Sequence, residues 1–536
     1  MTEAQTTSSS DKNNKDWLWL ILIIGLAALL RAPLFNIGLT IDDACTAYCI
    51  EADSVQELVS RIKEVEMSPP VYFSILKLVT MALGINTFAM ALPSFIFGLA
   101  TIPLVYLLGK ATHGRAVGLL SAYFAAVSYL AILYSHEART YAVAGFFIAA
   151  ALTVFLRAID KRPAIFTLLL LALCCGMAVM THYISVMYIG IMGLVALIYR
   201  RGMWGYSIAA SLALSLSPLL FWWPVLAYHR SVGTPWADVT PPSEFLKVFA
   251  SNLSATLPLP VVAGFVLLIT ALPLGLFVYL CLQPKALINS CRNLVFSPHF
   301  VTLAACLVSS CSLFGFITPY IFGWVRYMTP IACTSWVLLA WALVALRRKY
   351  SGKMAKVVFV TALAALALMS AFETAARASQ DCSGLRQLAR DISAQKFGNA
   401  AYITAPDFVG IILVYYIKHE CHKPLPELLG FADPSSGAMP PRHHNRAQWW
   451  HNPDMLKLYD ARLEDLRKRG FTTIVLIRDD YKPQSLKMPT RDVTDKFEAF
   501  LGQKLDKLEA TKIYRGRASS YEVSRYAFKN KTINHD

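Results

Sequence analysis

The sequence predicts a multi-pass α-helical membrane protein of about eleven spans, followed by a soluble α/β domain. Three observations lead there. Of 536 residues, 56% are apolar and only 16% are charged, against about 45–50% and about 25% in soluble globular chains. The apolar residues gather in long blocks before about residue 373, whereas the tail beyond mixes 26 basic with 19 acidic residues. That distribution excludes a purely cytosolic enzyme, a disordered chain and a small disulfide scaffold. A net charge of +16 does not point to nucleic acid, because the excess is divided among short loops instead of forming one basic stripe.

A spanning helix needs about 20 apolar residues. Stretches of that kind run near 17–35, 88–108, 116–134, 142–158, 164–181, 183–199, 205–225, 258–280, 299–320, 327–346 and 355–373. A polar leader, residues 1–16, precedes the first, which has no convincing cleavage site and reads as a retained anchor. One set of loops carries Lys12, Lys15, Lys110, Arg115, Arg157, Lys161, Arg162, Arg200, Arg201, Lys285, Arg292, Arg347, Arg348, Lys349, Lys353 and Lys356. By the positive-inside rule that set is cytoplasmic, together with the N-terminus. The other face then receives residues 36–70, which have room for juxtamembrane helices, the short turn 135–141, the loop of about 226–257 and the tail 374–536.

The tail alternates helical patterns (385–396, 407–419, 455–469 and 492–508) with β-rich runs (400–404, 472–477 and 521–526). This order predicts a small α/β domain. The stretch 424–454, rich in Pro, His, Gly and Asn, reads as a long loop. Eleven cysteines include no Cys-x-x-Cys pair, so no zinc spacing is present. Cys382 and Cys421 are the two cysteines of the tail.

Chemistry is predicted where charge exceeds the needs of topology and solubility. Asp42 and Asp43 follow the first span in IDDACTAY. Adjacent carboxylates at a membrane boundary are costly unless solvated or paired, and Thr40 before them is a helix-cap residue, so a capping role competes with a functional one. On a helix the two side chains point in different directions, and at most one enters a site. MSPPVYF, residues 67–73, holds two prolines that block helix and re-aim the chain before Tyr72. YSHEARTY, residues 134–141, places His136, Glu137 and Arg139 in a turn that needs few polar residues. A surface Glu137–Arg139 pair is the structural alternative. Arg326, in WVRYMTP, sits at the end of a span; it either snorkels to lipid headgroups or binds phosphate.

These four motifs, in this order on one face, resemble those of the GT-C glycosyltransferases, and more narrowly the family 39/83 type. That type includes protein O-mannosyltransferases and the aminoarabinose transferases that modify lipid A. Their motifs more often read DEA, HPPLYY, SQEARMYA and RYLLP. The resemblance implies the GT-C fold with an extracytoplasmic C-terminal domain. It implies a polyprenyl-phosphate-linked sugar as donor, with transfer of a hexosyl or pentosyl unit on the outer face of a bacterial plasma membrane. Carried over by residue, Asp42 stands at the family's catalytic acid, Asp43 at its acidic neighbour and Glu137 at the acidic residue of the second loop. Ser68 stands where relatives have His or Lys, and Met67 where the lipid A branch has an acid linked to a metal.

Displacing a polyprenyl phosphate from an anomeric carbon requires a base for the acceptor's proton and cations for the departing phosphate. Asp42 is the expected base, and the acceptor oxygen that it deprotonates attacks from the opposite face, with inversion. Arg139 and Arg326 are the expected phosphate contacts, with Lys63 or Arg61 in place of what Ser68 lacks, and Tyr72 lining the site. Glu137 either orients Arg139 or, with His136, helps to hold a divalent cation. The acceptor is expected to be an envelope lipid or glycan, such as lipid A or lipopolysaccharide, or else a protein hydroxyl. A lipid or solute transporter is the alternative class, but transporters place ionisable groups near the bilayer midplane, and here they collect at one face.

Overall fold

The first half of the chain folds as a helical bundle. In the computed structural model, residues 3–232, 297–316, 324–350, 352–379, 384–405, 408–431, 454–479, 491–508, 512–515 and 520–529 are described. Helices α1 (Glu3–Arg31), α2 (Ile41–Ile50), α3 (Val55–Val65), α4 (Val71–Leu83), α5 (Thr87–His113), α6 (Arg115–Val127), α7 (Tyr129–Leu133), α8 (Tyr141–Asp160), α9 (Ile165–Val179) and α10 (Ser185–Tyr199) come first. Then come α11 (Met203–Leu214), α12 (Pro218–Val232), α13 (Pro298–Phe316), α14 (Ala332–Lys349) and α15 (Lys353–Ala378).

Five described helices are long and apolar enough to cross a membrane, or six if α11 and α12, bent by 49°, count as one span. These correspond to the expected stretches at 17–35, 88–108, 142–158, 327–346, 355–373 and 205–225. The stretches at 116–134, 164–181, 183–199 and 299–320 yield shorter apolar helices, and 258–280 lies outside the described residues.

In the 116–134 stretch the shortening has a local cause at Ser128. Its backbone is extended (ψ 123°), so α6 stops there and α7 restarts one residue later. The carbonyls of Ala125 and Ala126, which an unbroken helix would pair with the next turn, instead accept from the Arg31 guanidinium at 3.0 and 2.8 Å. Arg31 is 1% exposed. It also bonds the Ala27 carbonyl at 3.1 Å and the Ser135 hydroxyl at 3.1 Å, at the entry to the 135–141 turn. Gly98 of α5 makes room for that hydroxyl, since a Cβ there would lie 2.5 Å from it.

The tail forms a mixed six-stranded sheet: β1 (Ala400–Ala405), β2 (Leu428–Gly430), β3 (Thr473–Asp479), β4 (Leu505–Lys507), β5 (Lys512–Arg515) and β6 (Ser520–Phe528). β1 lies parallel between β2 and β3, β3 pairs antiparallel with β6, and β4 and β5 share the far edge of β6. β2 falls inside the stretch expected to be loop. Its three residues Leu428, Leu429 and Gly430 are buried against β1, and that pairing, absent from local sequence, makes them a strand.

Alternation along the central strands divides two cores. Tyr402, Val475 and Ile477 face α16 (Leu385–Ser393) and α17 (Phe408–Tyr415), while Ile403, Ile474 and Leu476 face α18 (Met455–Lys468) and α19 (Arg491–Lys504). The first core continues without a break into α2, α4 and α5 through Ala44, Ala47, Leu76 and Met90. Polar ties reinforce it. The Tyr416 hydroxyl accepts from the Leu39 N–H at 2.8 Å, and Lys418 and His419 each lie 2.6 Å from Glu51. The sheet therefore shares its core with the helices that follow the first span.

Replacing Arg31 by Met removes the donor from several buried acceptors, an expected cost of about 2–4 kcal/mol. The check is a lowered thermal unfolding midpoint for the purified protein in detergent, with Arg31→Lys intermediate.

Candidate active site

α2 begins at Thr40 with a capping box. The Asp43 N–H donates to the Thr40 hydroxyl at 3.2 Å, and Asp43 Oδ2 accepts from the Thr40 N–H and hydroxyl at 2.9 and 2.8 Å. The other oxygen, Oδ1, accepts the Ala138 N–H at 2.7 Å. A 2%-exposed carboxylate thus ties the start of α2 to the 135–141 turn. Asp42, one residue earlier, keeps a 35%-exposed side chain and pairs with Arg326. Arg326 comes from a 3-10 segment, Trp324–Ile331, that precedes α14.

Arg139 reaches back to the same helix. Its Nη1 donates to Glu66 Oε1 at 2.7 Å, to the Thr46 hydroxyl at 3.1 Å and to the Asp42 carbonyl at 3.3 Å. The turn that carries it is held from α5, where the Ser94 hydroxyl donates to the Glu137 carbonyl at 2.6 Å. Asp42, Asp43, Glu137, Arg139 and Arg326, drawn from three separate segments, therefore meet at one place.

Four carboxylates (Asp42, Asp43, Glu66 and Glu137) share this place with two guanidiniums. Ion pairs join Arg326 to Asp42 and Arg139 to Glu66. Burial pushes Asp43 up to about 6, opposed by its Thr40 hydrogen bonds and by Arg139, and reinforced by Asp42. Burial and then the Asp43 charge hold Glu137 well above the usual carboxylate range. Burial disfavours the charge on Arg139, but Glu66 and Asp42 outweigh it, and its pKa is raised. Two cations balance two anions, and burial and the surplus negative charge raise both Asp43 and Glu137.

The other expected residues are placed differently. Tyr72 is fully buried in the core that joins α2, α4 and the sheet, beside the charged cluster, where Asp43, Arg139 and Glu66 act on its hydroxyl. Lys63 lies over the Tyr228 ring at 4.8 Å, and Arg61 over the Tyr48 ring at 4.4 Å while bonding the Tyr48 carbonyl and Glu57 at 2.6 Å each. Both are thus occupied along α3. Ser68 is buried, and Met67 lines a cleft of about 520 Å³ with Tyr183 and His229. His136 stands beside Glu137 in the turn. Among the described residues, no three His, Cys, Asp or Glu side chains gather as a metal site.

Two residues of the site escaped the sequence reading. Glu66 immediately precedes the expected MSPPVYF motif, and its position as the last acid before the prolines was the available signal. His182 lies in the turn between α9 and α10. Its ring stacks at 5.4 Å on Tyr327 and 5.9 Å on Tyr141. Burial, together with Arg139 and Arg326, pushes it down to about 3, so it is neutral at physiological pH.

Known proteins share features with this chain. Residues 67–228 match the family model for dolichyl-phosphate-mannose-protein mannosyltransferases, a span that covers the prolines and the turn. No curated protein matches by sequence. Apo ArnT from Cupriavidus metallidurans has a TM-score of 0.60 at 12% identity, covering 94% of this chain and 97% of that one. The same protein bound to undecaprenyl phosphate has a TM-score of 0.56 at 12% identity, over 94% and 98%. The fold is that of ArnT.

Glu66→Ala strands a buried guanidinium and is expected to cost about 3–5 kcal/mol. Adding Arg139→Met should recover part of that loss, and a double-mutant cycle of thermal midpoints measures the coupling.

Proposed function

We propose that this chain is a membrane glycosyltransferase that moves a sugar from a polyprenyl phosphate to an acceptor hydroxyl at the face bearing Asp42. The observation that carries the reading is the Asp42–Arg326 pair at the partly open edge of an otherwise buried charged cluster. Without donor, Arg326 holds the carboxylate. A donor phosphate competes for the same guanidinium, and Asp42 is then released to accept the acceptor's proton. The acceptor oxygen attacks the anomeric carbon, the bond to the phosphate breaks, and polyprenyl phosphate leaves with inversion. Arg139, locked by Glu66 and Thr46, adds a fixed positive charge to the site. The undecaprenyl phosphate bound by ArnT, a structure of the same fold, supports a lipid-linked donor.

On this reading the protein sits in a plasma membrane, with residues 1–16 cytoplasmic and residues 374–536 on the far side. The acceptor is a cell-envelope lipid or glycan of the lipid A or lipopolysaccharide kind. A protein hydroxyl is the second reading, favoured by the protein mannosyltransferase model over residues 67–228. Mass spectrometry of envelope lipids, glycans and proteins with and without the chain separates the two, because one class loses the mass of one sugar.

Asp42→Asn is expected to lower the transfer rate by about 10²–10⁴-fold while donor binding persists. Loss of donor binding together with activity, in a folded protein, would refute the base assignment. Glu137 keeps its proton to higher pH than a free carboxyl does, so its neutral form is lost as pH rises through the raised pKa. Activity that relies on the neutral form should fall on that alkaline side. Glu137→Gln, which cannot ionise, should retain activity and flatten the alkaline limb of a kcat/KM profile.

A further inference from the structure

At the end of the bundle remote from Asp42, four helices enclose a cleft of about 1010 Å³. Its walls come from α1, α6, α14 and α15. From Trp19 in the cleft to Asn36 at the far end of the first span are 17 residues, about 26 Å of helix rise, so this cleft and the candidate active site lie at opposite ends of the bundle. Its mouth carries Arg115 from α6 and Arg347 and Arg348 from α14, residues more than 230 positions apart in sequence, and no acidic side chain lines it. The nearest acid, Asp16, is 5% exposed and bonds Tyr106 at 2.7 Å and Arg115. Among the described residues, no carboxylate pairs with Arg347 or Arg348, and Arg347 donates to the Tyr350 carbonyl at 3.0 Å.

Below this basic mouth the lining is apolar. It runs along α6 from Arg115 through Leu119 to Tyr123, eight residues or about 12 Å of rise, and Tyr123 closes the floor by donating to the Leu363 carbonyl. Trp19, 53% exposed, flanks the entrance, as tryptophans do at membrane interfaces. Topology alone accounts for arginines in a loop. It does not account for two separate segments converging their guanidiniums over one apolar slot.

We propose that this cleft is a binding site for an anionic diacyl phospholipid, with its phosphodiester between the guanidiniums and an acyl chain along Leu22, Leu26 and Leu119. A basic pocket between spanning helices recognises such headgroups through charge, and the greasy slot below admits a chain but not a soluble anion. The site is independent of the transfer chemistry at Asp42.

The test uses the full-length protein, delipidated in detergent and titrated with dioleoyl phosphatidylglycerol or dioleoyl phosphatidylcholine, with bound lipid read by native mass spectrometry. The wild type should retain phosphatidylglycerol in preference to phosphatidylcholine, and Arg347→Gln with Arg348→Gln should weaken phosphatidylglycerol about tenfold, in line with two lost surface charges. Leu119→Trp fills the slot and leaves every arginine in place, and it should also remove the tight lipid, which keeps the test open if the double variant does not fold. Equal retention of the two lipids by the wild type, or an unchanged preference in both variants, overturns the proposal. Retention of undecaprenyl phosphate but not phosphatidylglycerol at this cleft overturns the choice of a diacyl lipid.

Discussion

The Asp43 carboxylate accepts two hydrogen bonds from Thr40 at the start of its own helix and a third from the Ala138 backbone, 95 residues away in sequence. The first two set where α2 begins. The third sets where the 135–141 turn lies against it. Asp42 is carried by the first geometry and Glu137 and Arg139 by the second, so the relative position of these groups depends on one buried side chain. The arrangement is supported from behind by Arg31, which closes the break in α6 and holds Ser135 at the entry to the same turn.

Concentrating charge in this way has an electrostatic consequence. Two guanidiniums cannot neutralise four carboxylates, and in a site shielded from water the surplus is relieved by protonation. Asp42 and Glu66 take the cations, and Asp43 and Glu137 shift upward. Neighbouring acids of the same type thus acquire different tasks from their surroundings. Asp43, acidic like Asp42 and adjacent to it, is fully occupied as a structural clamp. Asp42 stands at the more exposed edge, paired with Arg326.

α2 also explains why the C-terminal sheet bears on the site. Ala44 and Ala47 enter the core that contains Tyr402 and Val475, whereas Asp42 and Thr46 turn toward Arg139. One short helix is thus packed by the tail on one side and carries the charged cluster on another, and a shift of the sheet would move both. The ties from Tyr416 to Leu39 and from Lys418 and His419 to Glu51 hold that relation.

Local pattern made much of this legible. Long apolar runs and the distribution of charge indicated a helical membrane protein. Alternation in AAYIT and TTIVLI indicated the central strands, and charge beyond what topology and solubility need marked Asp42, Asp43, Glu137, Arg139 and Arg326. Such signals are readable because they arise within a few consecutive residues. The break at Ser128 was not readable, since it depends on a guanidinium from another helix. Nor was strand β2, which exists through its pairing with β1, nor the division of roles between Asp42 and Asp43. Glu66 and His182 carried no motif of their own and became part of the site only by what folds against them. The kinds of side chain available to the chemistry were therefore determined by the sequence alone. Which carboxylate is buried, which is paired and which stays open was decided by the tertiary structure, because burial and ion pairing are set by neighbours that lie far apart along the chain.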